Sequence, residues 1–226
     1  MTTSRMARII GVCSLALALL VFGGGAAFAQ SSGAQSFTLQ PNGTATITFE
    51  GYCTNFGQKF PTSVQTPNAV APDKIRGALA YIQSNNLSAS ADKALEAQYA
   101  IWQLSGATGS PAGGADAKAV VDAASSAPAN PQGTSVLDAA KAGQVTLTVA
   151  SWQPIGDKVT IGAASDNFYG RGTLTVKNVS NEALTLYMPL GTLFPPATAG
   201  DQTMAAYSTK ADVSNPQPAS QGTGSQ

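Results

Sequence analysis

Period-two alternation of apolar with small polar residues opens and closes this chain, and a helical period fills its middle. Phe37 and Leu39, then Thr44-Ala45-Thr46-Ile47-Thr48-Phe49, step at period two around the turn Pro41-Asn42-Gly43, so residues 36–50 are expected to form strand, turn, strand. Residues 57–71 carry prolines and no period, and read as loop. From Pro72 onward Ile75, Ala78, Leu79 and Ile82 recur at helical spacing until Asn85-Asn86 stops them. A second helix is expected over residues 91–104, capped by Ser88 or Ser90 and ended by Ser105-Gly106. Two alanine-rich helical pieces follow at about residues 116–126 and 135–142, with Gly143 closing the last. The period then returns to two at residues 145–149, 158–161, 172–176 and 184–188, with two more strands expected at 191–194 and 203–207.

Strands, then helices, then strands predict an α+β fold: an antiparallel β-sandwich with a helical block inserted at about residues 72–143. An isolated hairpin is marginal in water, so the N-terminal strands are assigned to the sheet of the later ones and residues 30–212 to a single domain. Residues 213–226, rich in Ser, Gly, Pro and Gln, read as a disordered tail.

The first 29 residues read as a cleavable secretion signal. Arg5 and Arg8 precede an apolar run at residues 9–22, and Ala27-Phe28-Ala29 offers small residues where a signal peptidase looks. Cleavage near Ala29 predicts a secreted or cell-surface protein with no later membrane span. It also removes Cys13 and leaves ten basic against twelve acidic side chains, a formal charge of −2. With 11% charged residues and no basic run, the chain lacks the charge that nucleic-acid binding needs. It contains no histidine, which removes Ser-His-Asp and Cys-His nucleophilic sites and most catalytic zinc sites. One mature cysteine makes neither an intramolecular disulfide nor a thiolate metal cluster. No cofactor is implied, and nothing in the sequence assembles an enzyme.

Two residues stand out against this background. On a helical wheel for residues 91–104, Ala94, Leu95, Ala97, Ile101, Trp102 and Leu104 form one apolar arc, and Asp92, Glu96 and Gln103 lie opposite. Gln98 falls inside the apolar arc, where an unpaired buried carboxamide costs about 1–3 kcal/mol. Cys53, the lone mature thiol, follows the second strand in Gly51-Tyr52-Cys53-Thr54-Asn55-Phe56. Taken singly, Gln98 is a structural clamp on a backbone group and Cys53 a small buried hydrophobe. Taken together they suit a side-chain thioester. The Cys53 sulfur attacks the Gln98 carbonyl and expels ammonia, so the thiol is masked and the amide becomes a weakly polar electrophile.

Tyr52-Cys53 and Gln98-Tyr99-Ala100-Ile101-Trp102 resemble the two signature elements of the thioester domains of bacterial surface adhesins and pilus tips. These are a cysteine after an aromatic residue and a glutamine in a T-Q-x-A-I-W-type helix motif. The resemblance spans roughly residues 51–106, with Ala97 where the motif usually has threonine. It implies an exported, non-enzymatic surface or matrix protein that attaches covalently to amine or hydroxyl groups of an extracellular protein or glycan. Cys53 would be the internal nucleophile and later the leaving group, Gln98 would supply the acyl carbon, and Tyr52 and Trp102 would shield the bond. The competing reading is a non-covalent secreted binding or structural module in which Cys53 and Gln98 are only structural. Asn42, Asn86 and Asn178 begin glycosylation-type triplets. Trp152 and Phe168-Tyr169-Gly170 are read as core and turn packing rather than a glycan-stacking surface.

Overall fold

A computed structural model describes residues 35–161 and 164–217. The expected signal segment, with Cys13, and most of the expected tail lie outside these residues. The chain is mostly β-sheet with a few helices. Strands β1 (Phe37–Leu39), β2 (Thr44–Cys53) and β3 (Ala69–Val70) come first. Helices α1 (Asp73–Ser84), α2 (Ala91–Leu104), α3 (Ala115–Ala123) and α4 (Val136–Lys141) follow, with a 3₁₀ turn at Leu87–Ala89 before α2 and strand β4 (Thr134–Ser135) before α4. Strands β5 (Val145–Pro154), β6 (Val159–Ile161), β7 (Ala164–Asp166), β8 (Tyr169–Asn178), β9 (Leu184–Tyr187), β10 (Thr192–Phe194) and β11 (Met204–Ser214) complete the chain.

Six strands form a curled antiparallel sheet in the order β3-β10-β11-β2-β8-β5. A three-stranded sheet runs β1-β9-β4, and β6 pairs with β7. The turn at Pro41-Asn42-Gly43 therefore does not close a hairpin. β1 pairs with β9, whereas β2 enters the large sheet between β11 and β8. Asn42 takes a left-handed φ of 63°, and the turn switches the chain from one sheet to the other. Asn178 pins this switch. Its fully buried amide donates to the carbonyls of Leu39, Gln40 and Glu182, and its oxygen accepts from Ser180. That commitment removes it as a glycosylation acceptor.

β11 pairs with β2 along its whole length, from Met204 opposite Cys53 to Ser214 opposite Thr44. It thus runs past residue 213, where composition places the start of the tail. Trp152 stacks on Phe49 and Phe60, with ring centroids 6.0 and 5.7 Å apart, and donates its indole N–H to the Pro61 carbonyl. Gly170 and Gly172 make room for it: a Cβ on either would come within 2.6 Å of Trp152 or Phe49. Phe168 and Tyr169 are buried and stack on each other with ring centroids 4.8 Å apart, so these aromatics fill the core instead of presenting a stacking platform. One contiguous core joins Ile47, Leu174 and Val176 of the large sheet, Leu39 and Leu186 of the small one, and Leu79, Ile82 and Ile101 of the helices.

Candidate functional site

α2 is built from strong helix formers and ends where Gly106 adopts φ 81°. Ser90 occupies the N-cap position without a side-chain cap bond, and Ser88 turns elsewhere, so neither serine caps the helix as the sequence suggests. The polar face of α2 secures the next connection. Glu96 accepts from the backbone N–H groups of Gly114 and Ala117, and the Gln103 side chain donates to the Ala112 carbonyl. Glu96 thereby serves the first turn of α3, where the helix has no capping side chain of its own.

The opposite face of α2 buries Ala94, Ala97, Gln98, Ile101 and Trp102. Gln98 lies against the last residue of β2. Its Oε1 accepts from the Cys53 N–H at 2.9 Å, and its Nε2 donates to the Cys53 carbonyl at 2.7 Å. Both residues are fully buried. The carboxamide is thus laid along the Cys53 main chain, and its acyl carbon is a close neighbour of the cysteine. The Cys53 N–H also donates to the Phe168 carbonyl at 3.1 Å, so one amide serves the sheet and the helix together. The Cys53 sulfur lies 3.7 Å from the sulfur of Met204, its cross-strand partner.

Burial pushes the Cys53 thiol well above its ordinary value, with a further push from the negative charge of Asp166. The sulfur is therefore held neutral. A neutral thioester suits the same position, because cleaving it without delivering a proton would leave a thiolate in an apolar seam.

The aromatic neighbours of the pair occupy different places. Trp102, one turn beyond Gln98, donates its indole N–H to Gln202 Oε1 at 3.2 Å and packs edge-on against Phe56 at 5.0 Å. Tyr52 stacks on Tyr169 and points its hydroxyl away, into a buried polar chain. Tyr52 Oη lies 2.8 Å from Ser88 Oγ, which lies 2.7 Å from Tyr207 Oη, and Tyr207 donates to Glu50 Oε2 at 2.8 Å. Glu50 Oε1 accepts from Arg171 Nη2 at 2.5 Å and so carries the chain to the surface. Burial raises the pKa values of both tyrosines and keeps them neutral hydrogen-bonding groups.

This chain of polar groups was not legible in the sequence, where Glu50 and Ser88 sit in unremarkable contexts; a carboxylate inside the apolar alternation of β2 was the one available signal. Among the described residues no cluster of acidic or cysteine side chains could hold a metal ion, and no helix is long and apolar enough to cross a membrane. Comparison with family models finds no match, and comparisons with curated proteins and with solved structures also find none.

Proposed function

We propose that this chain is an exported, sandwich-like adhesion module that carries a latent acyl group and attaches covalently to an amine or hydroxyl on an extracellular protein or glycan. The observation that carries the reading is the fully buried two-bond pairing of the Gln98 carboxamide with the main chain of Cys53. The carboxamide that would supply the acyl carbon is held against the residue that carries the thiol, and both are fully buried, which is the setting a thioester needs to form and persist.

In forming the bond, Cys53 Sγ attacks Gln98 Cδ, the C–N bond breaks, and the thiol proton leaves with Nε2 as ammonia. The Cys53 N–H, 2.9 Å from Oε1, stabilises the oxygen as negative charge develops on it. On meeting a target, the incoming amine or hydroxyl attacks the same carbon, the C–S bond breaks, and one proton of the nucleophile passes to sulfur. The product is an amide or ester cross-link and a free Cys53 thiol. The chain uses itself up in this step and does not turn over.

The same pairing favours a second reading. Both polar ends of the Gln98 amide are satisfied by Cys53 without any chemistry, so the residue can act as a clamp between helix and sheet in a non-covalent module. Intact mass separates the two. The thioester form is lighter than its sequence mass by one ammonia, and Cys53→Ala restores the full mass. A mature wild-type protein at full sequence mass, with Cys53 alkylated once the chain is unfolded, overturns the covalent reading.

A further inference from the structure

The hairpin of β6 and β7 forms a sheet of its own, and beside it lies a cavity of about 280 Å³. Its lining combines three aromatic rings, Phe56, Trp102 and Phe168, with two side chains of opposite charge, Asp166 and Lys59. Among the described residues neither Cys53 nor Gln98 lines it, so what binds here is independent of the thioester. The rings do not make a flat platform. Phe56 meets Trp102 edge-on, with planes 64° apart and centroids 5.0 Å apart, and Phe168 is braced by Tyr169. Trp102 is fixed by donating its indole N–H to Gln202 Oε1 at 3.2 Å, and Gln202 Nε2 in turn donates to the Gln58 carbonyl at 2.9 Å. The two Asp166 carboxylate oxygens accept from the Phe60 and Asn167 N–H groups, at 2.8 and 2.9 Å, so this charge is held in place. Among the described residues no ion pair joins Asp166 or Lys59 to each other or to a third group.

We propose that this cavity reversibly binds a small zwitterion that carries a trimethylammonium group and, a few bonds away, an anionic group, as phosphocholine does. Inclined aromatic rings attract a cation through their electron-rich faces. A quaternary ammonium has no N–H group to leave unsatisfied, so it enters an apolar wall at small cost. A primary ammonium brings three donors, and here the nearby acceptors are already engaged, Gln202 Oε1 by Trp102 and the Gln58 carbonyl by Gln202. Asp166 supplies the charge that opposes the cation. Lys59, which is exposed, supplies the charge that opposes the anionic end, where the ligand stays partly in water. The two unpaired charges therefore match a zwitterion better than a simple cation. The volume lies just under the range of about 300–1,000 Å³ that takes drug-sized ligands, which suits a molecule the size of a lipid headgroup.

The test titrates the mature protein with phosphocholine, choline and phosphoethanolamine, using calorimetry for affinity and proton NMR for the N-methyl signal. Phosphocholine is expected to bind at least about tenfold more tightly than phosphoethanolamine, and about threefold more tightly than choline at low salt. Its N-methyl signal is expected to move upfield under the ring currents. Asp166→Asn is expected to weaken phosphocholine and choline alike, by about tenfold. Lys59→Met, at an exposed position, is expected to bring phosphocholine down to the level of choline and to leave choline no weaker. Phe56→Leu, at a half-buried position, is expected to weaken both by about threefold to tenfold and to shrink the upfield shift. Vesicles of phosphatidylcholine separate the sources of the headgroup. Retention on them, competed by free phosphocholine, assigns a lipid; binding of free phosphocholine without retention assigns a soluble or polymer-borne group. Equal affinity for phosphocholine and phosphoethanolamine, an N-methyl signal that does not move, or an Asp166→Asn variant that binds as wild type overturns the proposal and leaves the thioester reading untouched.

Discussion

Two buried polar clusters sit within a few residues of each other along β2, and they are resolved in opposite ways. Glu50 heads a chain through Tyr207 and Ser88 to Tyr52 and is tied at its other end to Arg171, whose side chain is 53% exposed. Gln98 pairs with the Cys53 main chain, whose N–H also reaches the Phe168 carbonyl, and among the described residues no further side-chain hydrogen bond extends from Gln98; the Cys53 sulfur meets Met204. The first cluster is a conduit with a solvent end. The second is a closed loop. A conduit can be rehydrated from its open end when one member is lost, so its hydrogen bonds are individually replaceable. A closed pair has no such recourse, and a group without recourse is where removal is most damaging and where altered chemistry has most to gain.

The sharpest way to break this comparison is to delete the closed pair. Gln98→Leu keeps the volume and the apolar arc of α2 but leaves the Cys53 carbonyl without its helix partner, while the Cys53 N–H retains the Phe168 carbonyl. The expected loss is about 3 kcal/mol, which for a domain of this size lowers Tm by roughly 6–12 °C. Thermal and denaturant unfolding of the two proteins measures it. Glu50→Ala opens the conduit and is expected to cost less, about 1–2 kcal/mol, because water entering beside Arg171 can satisfy Tyr207 and because the ion pair itself is solvent-screened. If Glu50→Ala proves more damaging than Gln98→Leu, the distinction between open and closed clusters is wrong.

How far the sequence anticipates this arrangement differs between its two sides for a physical reason. α2 was legible to its ends, Ala91 and Leu104, because helical period and the Ser105-Gly106 stop are local signals. Gln98 was legible as an anomaly, since a carboxamide on an apolar arc is visible on a wheel without knowing what faces it. The partnership of β1 with β9 was not, because strand pairing across 147 positions leaves no local period, and the turn at Asn42 has the same composition whether it closes a hairpin or switches sheets. The role of Ser88 is hidden from the sequence for a related reason. A serine two or three residues before a helix looks like a cap, and only the fold brings Tyr52 and Tyr207 to its hydroxyl. The C-terminal end of β11 is not visible in the sequence because Ser, Asp and Lys on a solvent-facing strand have a loop-like composition; pairing with β2, not composition, makes residues up to Ser214 a strand.

The smallest expected effect sharpens the comparison furthest, because it separates a closed pair from a bonded one through titration alone. On the conduit side, Tyr52 and Tyr207 ionise in the folded protein only above the ordinary value of 10.0. The unfolded chain gives up those protons first, so their contribution is intact below that pH and is lost as pH rises beyond it. A free Cys53 thiol obeys the same sign from a lower start. Its folded pKa lies above the ordinary 9.0, so stability should begin to fall as pH passes that value, by under about 1 kcal/mol half a unit beyond it. Cys53→Ala removes this early loss and leaves the later tyrosine one. A thioester has no thiol proton to lose, so in that form wild type and Cys53→Ala lose stability in parallel, and treatment with methylamine restores the early decline by releasing the sulfur. Unfolding measured at closely spaced pH values, before and after methylamine, thus reports whether the Cys53 sulfur carries a proton or an acyl group.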